Sequence, residues 1–375
     1  MTVSDVMPEP TLFQRFQAEI QEQPKRRARE LAAALNVSEG QLVACRQGNQ
    51  VWQLQFPFTE LLTELVKIGE IMTITRNEEA VHEHHGIYRK LSIYGEGKMG
   101  LVLSEDLDLR LFLSQWRSGF HVIENGRESL QFFDQYGIAV HKVYKTDASD
   151  ENEWQRITQQ FRDDAPKNIE FEPSPQKVNS VHSTPENFDA QQFDRDWAGL
   201  KDVHEYHGML KKHQLSRTQA LRNIGPNWAQ KLNPNAVVDA LEQAQQQQCP
   251  IMIFVGNPGC IQIFSGTIEK LMPYGPWFNI LDPEFNLHLR PDLITETWII
   301  RRPSKDGIIT SIEAFNQYGD SVITLFGKRK PGEVELPTWQ ELAESVEKEE
   351  PSHVMKSVVS TCYRKCEFCF FYSLG

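Results

Sequence analysis

Residues 71–95 (IMTITRNEEAVHEHHGIYRKLSIYG) lie without a gap over residues 251–275 (IMIFVGNPGCIQIFSGTIEKLMPYG), at an offset of 180. Eight of the 25 pairs are identical, among them Asn77/Asn257, Gly86/Gly266, Lys90/Lys270, Leu91/Leu271 and Tyr94/Tyr274. A second block sets residues 129–144 over 311–326 at an offset of 182, with FFDQYG (132–137) opposite AFNQYG (314–319). Solenoid repeats recur every 20–50 residues or so, and two copies this long and this far apart do not fit that pattern. They predict two homologous halves, and a duplicated pair of sheets leaves a cleft where a large ligand can settle.

At 375 residues, and roughly 150 per domain, the chain has room for two such units, each large enough to bury its own core. Helical periodicity covers residues 12–35, with a break near Pro24, then 152–161, and a single stretch from 194 to 213. Strand-like runs with turn signals fill 51–144 and 251–326. Each half is therefore helices first, then a large antiparallel sheet, an α+β order. Between them, residues 163–187 hold Pro166, Pro173, Pro175 and Pro185 among Asp, Glu, Asn and Ser, a composition that reads as a linker. The expected division is 1–162 for the first half, 163–187 for the linker, 188–340 for the second half and 341–375 for a tail.

Charge and termini narrow the function classes. A net charge of −12 argues against a nucleic-acid surface, which needs clustered Lys and Arg. The start, MTVSDVMPEP, has no signal-peptide pattern, and no apolar run approaches about 20 residues, so the expected location is the cytoplasm. Cys45, Cys249 and Cys260 are scattered in the manner of reduced core thiols. No Ser–His–Asp order, Walker loop or Rossmann fingerprint is present.

Local patterns offer candidate residues, each with a plain structural alternative. In LDLRLFL (107–113) leucines alternate with Asp108, Arg110 and Phe112, so Arg110 and Phe112 share one strand face; in the second half His288 stands where Arg110 stands. The alternative is a solvated outer face. In 194–213, Trp197, Leu200, His204 and His207 recur at helical spacing, offering an imidazole to a metal or simply a hydrogen-bonded histidine. In VHEHHG (81–86), His82 and His84 would share a strand face, and an exposed His-rich turn is the alternative to a metal pair. The tail carries Cys362, Cys366 and Cys369 as C-x3-C-x2-C, a spacing that resembles the cluster motif of radical S-adenosylmethionine enzymes. With six residues after Cys369 no barrel follows, so the expectation is no working radical enzyme, and either no metal or a partial zinc or iron–sulfur site.

Longer phrases carry a family resemblance. LDLRLFLSQW (107–116), AVHE (80–83), DVHEYHGMLKKHQLSRTQA (202–220) and IMIFVGNPGCIQIFSGTIEK (251–270) resemble the bacterial cytoplasmic haemin-degrading and haem-trafficking proteins, the HemS/ChuS-like family, over about 13–339. The resemblance implies two stacked-sheet halves with haem bound between them. It implies His204 as the axial ligand of the haem iron, Arg110 on the opposite side of the haem, and His82 as a second haem-ligating histidine. The family continues DVH with an aromatic pair, whereas this chain has Glu205-Tyr206-His207, which makes His207 a competing ligand. Phe112, Ile263 and Phe264 are candidate walls for the porphyrin, and Arg302, Lys328 and Arg329 candidate partners for its propionates.

Two functions stay open on these residues, beside a third that assigns the tail a redox or iron-sensing role. One is oxygenase-like degradation of haem that frees iron, with Arg110 and His204 as the catalytic pair and electrons from an external reductase. The other is a non-enzymatic carrier that receives haem from an inner-membrane importer, with ligand exchange through His207 or His82.

Overall fold

The computed structural model describes residues 10–346 apart from 25, 180–182, 203–204 and 331. His204 and the tail cysteines Cys362, Cys366 and Cys369 lie outside the described residues. Two large antiparallel sheets dominate. The first has eight strands in the order β1 (Val51–Gln53), β7 (Ser118–Glu124), β8 (Arg127–Phe133), β9 (Ala139–Ser149), β2 (Gly69–Arg76), β3 (Ala80–Gly86), β14 (Phe285–Leu289) and β13 (Phe278–Leu281). The second has nine, in the order β10 (Ala229–Leu232), β15 (Glu296–Ser304), β16 (Gly307–Phe315), β17 (Ser321–Gly327), β11 (Ile251–Asn257), β12 (Cys260–Gly266), β6 (Asp108–Leu111), β5 (Met99–Leu103) and β4 (Leu91–Tyr94).

The duplication is visible in the strand orders, which match over eight positions, with β4 as an added edge strand on the second sheet. It also holds something the repeats do not announce: each half lends strands to the other's sheet. β14 and β13 of the second half extend β3 of the first, and β6, β5 and β4 of the first half extend β12 of the second. Register preserves the equivalence. Arg110 pairs with Ile261 on β12, and His288 pairs with Val81, the repeat mate of Ile261, on β3.

The repeated asparagines stitch this exchange. Asn77 Oδ1 accepts from the Glu79 and Ala80 amides at 3.0 and 2.8 Å, closing the β2–β3 turn, while its Nδ2 donates across the seam to Val322 O at 2.8 Å. Asn257 does the same in reverse: its Oδ1 accepts from Gly259 and Cys260 at 2.9 Å, and its Nδ2 donates to Arg76 O and Val140 O at 2.9 Å. A side chain that both builds its own turn and satisfies the other half's carbonyls has no apolar substitute.

Helices cover the sheets in matching sets: α1 (Leu12–Glu22), α2 (Ala28–Ala34), α3 (Glu39–Ala44), α4 (Thr59–Glu64) and α5 (Glu151–Gln160) in the first half, α6 (Ala190–Ala198), α7 (Glu205–Lys212), α8 (Arg217–Asn223), α9 (Ala236–Gln246) and α10 (Pro337–Ser345) in the second. α3 and α8 open with the same capping box, Ser38 with Gln41 and Ser216 with Gln219. Before each, a residue sits at positive φ, Asn36 at 54° and Gln214 at 55°. The helix predicted over 194–213 is instead two. α6 stops at Gly199, whose amide bonds back to Arg195 and Trp197, and α7 starts at Glu205. The break re-phases the predicted stripe: Trp197, Leu200 and Leu210 are buried as expected, but α7 buries Tyr206 and leaves His207 exposed.

If the seam is one cooperative unit, Asn77→Ala and Asn257→Ala should each cost about 1–3 kcal/mol, because each leaves backbone carbonyls of the other half unpaired. In urea titration both variants should lower the midpoint, and the halves should unfold in one transition. Two separated transitions, or midpoints unmoved in both variants, would contradict this account.

Candidate functional site

β11 alternates two apolar faces. Ile251, Ile253 and Val255 point into the core, while Met252, Phe254 and Gly256 line the floor of a cavity of about 2580 Å³. Pockets for small ligands usually span roughly 300–1,000 Å³, so this one admits something large. Phe326 and Thr324 on β17, in register with Met252 and Phe254, continue the floor, as do Ile261 on β12 and Leu101 on β5. α2, α3, the corner at 136–139 and residues 171–177 close one side; Tyr206 on α7 and Arg217 on α8 line another part.

Arg110 stands on this floor between Leu101 and Ile261, with Phe112 also lining the cavity. Its guanidinium donates to the Asp108 carboxylate two residues before it, on the same strand face. Burial pushes the Asp108 carboxyl above the usual carboxylate range, opposed by Arg110. The pair therefore presents a half-buried cation whose position is set by its own strand.

Five strand spacings away on the same sheet, on the order of 24 Å along its surface, Arg302 on β15 reaches the same cavity. It is 3% exposed and held at three points, although its buried Nε finds no partner among the described residues: Nη1 donates to Ser311 Oγ at 3.0 Å and Nη2 to Glu313 Oε1 at 2.8 Å, and its Cζ lies 4.2 Å from the centre of the Tyr206 ring. Burial alone would raise the Glu313 carboxyl; Arg302 and Arg217 hold it below its usual range. Arg217 approaches Glu313 Oε2 only to 3.8 Å, with 42% of its side chain exposed, so it keeps donors for a ligand. At the end of β17, Lys328 donates to Ser265 O at 3.4 Å and Arg329 lies 3.9 Å from Asp306, a loose pairing that leaves both open to an anion. A ligand touching both Arg110 and the Arg302 end must be extended or plate-like.

Of the residues expected at the site, Arg110, Phe112, Arg302, Lys328 and Arg329 all line this one cavity. His82 does not. It is 0% exposed, on the inward face of β3, with Phe285 at 4.8 Å and His84 at 5.9 Å between ring centres, and burial drives its pKa well below the ordinary histidine value. The alternation that paired His82 with His84 holds, but the face they share is the interior one. Phe264 is likewise turned away, stacked on Phe285 at 4.0 Å, and Ile263 is buried off the cavity. His207 faces solvent. The walls that went unread are Tyr206, Arg217, Phe254 and Phe326. Phe254 and Phe326 each stand at a half-buried position of a largely apolar strand, where the sequence shows only an apolar run. Among the described residues no group of three or more His, Cys, Asp or Glu side chains could hold a metal ion.

The family described as the haemin-degrading HemS.ChuX domain matches residues 36–161 and again 214–346, once in each half. The hemin transport protein HmuS of Yersinia pestis is 39% identical over 336 residues, 88% of this chain and 96% of its own. The haem-bound crystal structure of PhuS, a heme-binding protein from Pseudomonas aeruginosa, superposes with a TM-score of 0.85 at 44% identity, covering 89% of this chain and 97% of that one. ChuS, described as an E. coli heme oxygenase, gives a TM-score of 0.80 at 37% identity over 88% and 99% of the two chains. The chain belongs to the haemin-degrading HemS.ChuX domain family and carries its domain in both halves.

Proposed function

We propose that this protein binds haem in the cavity on the second sheet and opens its ring to release iron. The observation that carries the reading is the cavity itself: one oversized space with an aromatic, aliphatic floor, a rim that carries both carboxylates and cations, and loosely paired Arg217, Lys328 and Arg329 among those cations, shared by residues from both halves. A porphyrin needs apolar walls, which Phe112, Phe254, Ile261 and Phe326 supply, and its two carboxylates need cations, which Arg217, Lys328 and Arg329 can offer. Arg302, already neutralised by Glu313, acts instead by holding Tyr206 at the start of α7.

His204 is the proposed iron ligand. It lies outside the described residues, two positions before Tyr206, which lines the cavity. Iron ligation by a neutral imidazole requires that its other nitrogen find an acceptor. Haem supplies the redox chemistry once bound, and the electrons come from an external donor. Arg110, always charged, can donate hydrogen bonds to a polar group over the floor, and Asp108 keeps its guanidinium from swinging away. We place the protein in the cytoplasm, receiving haem from an inner-membrane importer; no helix of the described residues is long and apolar enough to cross a membrane.

The carrier reading uses the same cavity and draws on relatives described as transport and binding proteins. Its proposed ligand exchange loses support, because His207 faces solvent and His82 is sealed in the core.

Haemin added to the purified protein should give a saturable Soret shift. With a reductant in air, the band should decay to a biliverdin-like product with carbon monoxide. An intact band that passes quickly to an apoprotein acceptor would establish the carrier instead, and no uptake would end both readings.

His204→Ala should change the axial-ligand spectrum and weaken haemin binding at least about tenfold, ~1.4 kcal/mol; an unchanged spectrum and affinity remove His204 from the account. Arg110→Ala should retain haemin but slow product formation on the order of 10- to 100-fold, the loss of a charge-assisted donor. Wild-type turnover in that variant would count against its role.

A further inference from the structure

The stretch whose composition marked it as a linker does more than connect. From Phe171 to Lys177 it forms part of the cavity wall, and it is tied down at two places that the duplication makes equivalent. In the first half the corner Asp134–Gly137 is built by Asp134 Oδ1 accepting from Tyr136 and Ile138 at 2.9 Å; in the second, Asn316 Oδ1 accepts from Tyr318 at 2.9 Å and Asp320 at 3.0 Å. The segment runs from one corner to the other.

The two attachments differ in kind. At the first corner the Phe171 ring fills a socket made by two glycines: a Cβ on Gly40 would meet the ring at 2.7 Å, and one on Gly137 at 3.1 Å. The Glu172 amide donates to Gln135 O at 2.9 Å beside it. At the second corner the hold among the described residues is through a charged side chain. Lys177 Nζ donates to Asp320 Oδ2 at 2.8 Å and sits 5.5 Å from the Tyr318 ring, with about half of each charged side chain exposed, 49% and 55%. Pro173 and Pro175 stiffen the span between, since each fixes φ. A stiff segment with a packed end and a weakly held end pivots about the packed one.

We propose that residues 171–177 are a strap gating the cavity, hinged at Phe171 and latched by Lys177 on Asp320. Lys177 and Asp320 both line the cavity, so an anionic ligand entering there meets both halves of the latch. Exposed ion pairs contribute little, so the latch opens readily and its loss should change entry rates by roughly two- to fivefold.

Three variants separate a latch from simple attraction of an anion: Lys177→Met, Asp320→Asn and the double substitution. Attraction alone makes the first slower, the second faster and the double, whose net charge equals that of the wild type, unchanged. A latch makes the double faster than wild type in stopped-flow association of haemin. This arm rests on the haem reading, so the distance between spin labels at Gln176 and Gln317 is measured on the ligand-free full-length protein as well, where the double variant should show a longer and broader distribution. A double variant with the wild-type distribution overturns the strap whether or not haemin binds. A widened distribution with unchanged haemin entry overturns the gate.

Discussion

Where β12 meets β6 and β3 meets β14, backbone hydrogen bonding carries each sheet across the boundary between the halves. An edge strand left unpaired there would expose donors and acceptors with no partner. The floor of the cavity depends on this exchange directly. Arg110 belongs to the first half by sequence, yet it stands in the second half's sheet, beside Ile261 and in the same cavity as Arg302. Neither half alone contains the floor.

The seam is also where the buried polar groups gather. Gln262 of the second half donates to Thr73 Oγ1 of the first at 2.9 Å, and Thr75 lies 3.1 Å from His141 Nδ1 while its hydroxyl points to Cys260 Sγ at 3.3 Å. Tyr88 closes the network at 2.5 Å from His141 Nε2. Burial pushes the Cys260 thiol up to about 12 and the His141 imidazole down to about 3, so both are neutral near pH 7. A thiol held protonated beside a neutral imidazole is a poor nucleophile, and the role left to this network is to fix how the two sheets face each other.

The duplication, the α+β order, the alternation around Arg110 and the family phrases were all legible in the amino-acid sequence, because each is a local or self-similar pattern. What was not legible depends on pairings between distant strands. The exchange of β4–β6 and β13–β14 is a choice of partner made over a hundred residues away. Whether the His82 face of β3 looks inward or outward follows from which sheet covers it, which period-two alternation cannot say. Arg302 read as a free cation because Glu313, opposite Trp298 on the neighbouring strand, comes within its reach only when the hairpin forms. The stretch at 163–187 looked like a tether for want of core-forming residues, yet the Phe171 ring needs only a socket of two glycines to dock.

Equivalent backbones with unequal side chains then explain why the two halves are not interchangeable. At the start of α3 stands Glu39, bonded to Arg76 and to Lys142 at 3.3 Å; at the matching start of α8 stands Arg217, reaching loosely toward Glu313. In the first position both cations contact the one carboxylate directly, and burial holds the Lys142 amine below its ordinary value. In the second, Glu313 is shared with the buried Arg302, so the exposed Arg217 retains unspent positive charge. The matching strands diverge in the same way: Arg110 lines the cavity between Leu101 and Ile261, whereas the His288 Nδ1 is tied to Asn279 at 2.7 Å on the other sheet. Duplication thus supplied two scaffolds whose differing side chains meet around one apolar floor, where Arg217, Lys328 and Arg329 are the loosely paired cations. Glu39 and Arg76 line the same cavity but already pair directly with each other, so it is the Arg217 side that keeps donors for an anion.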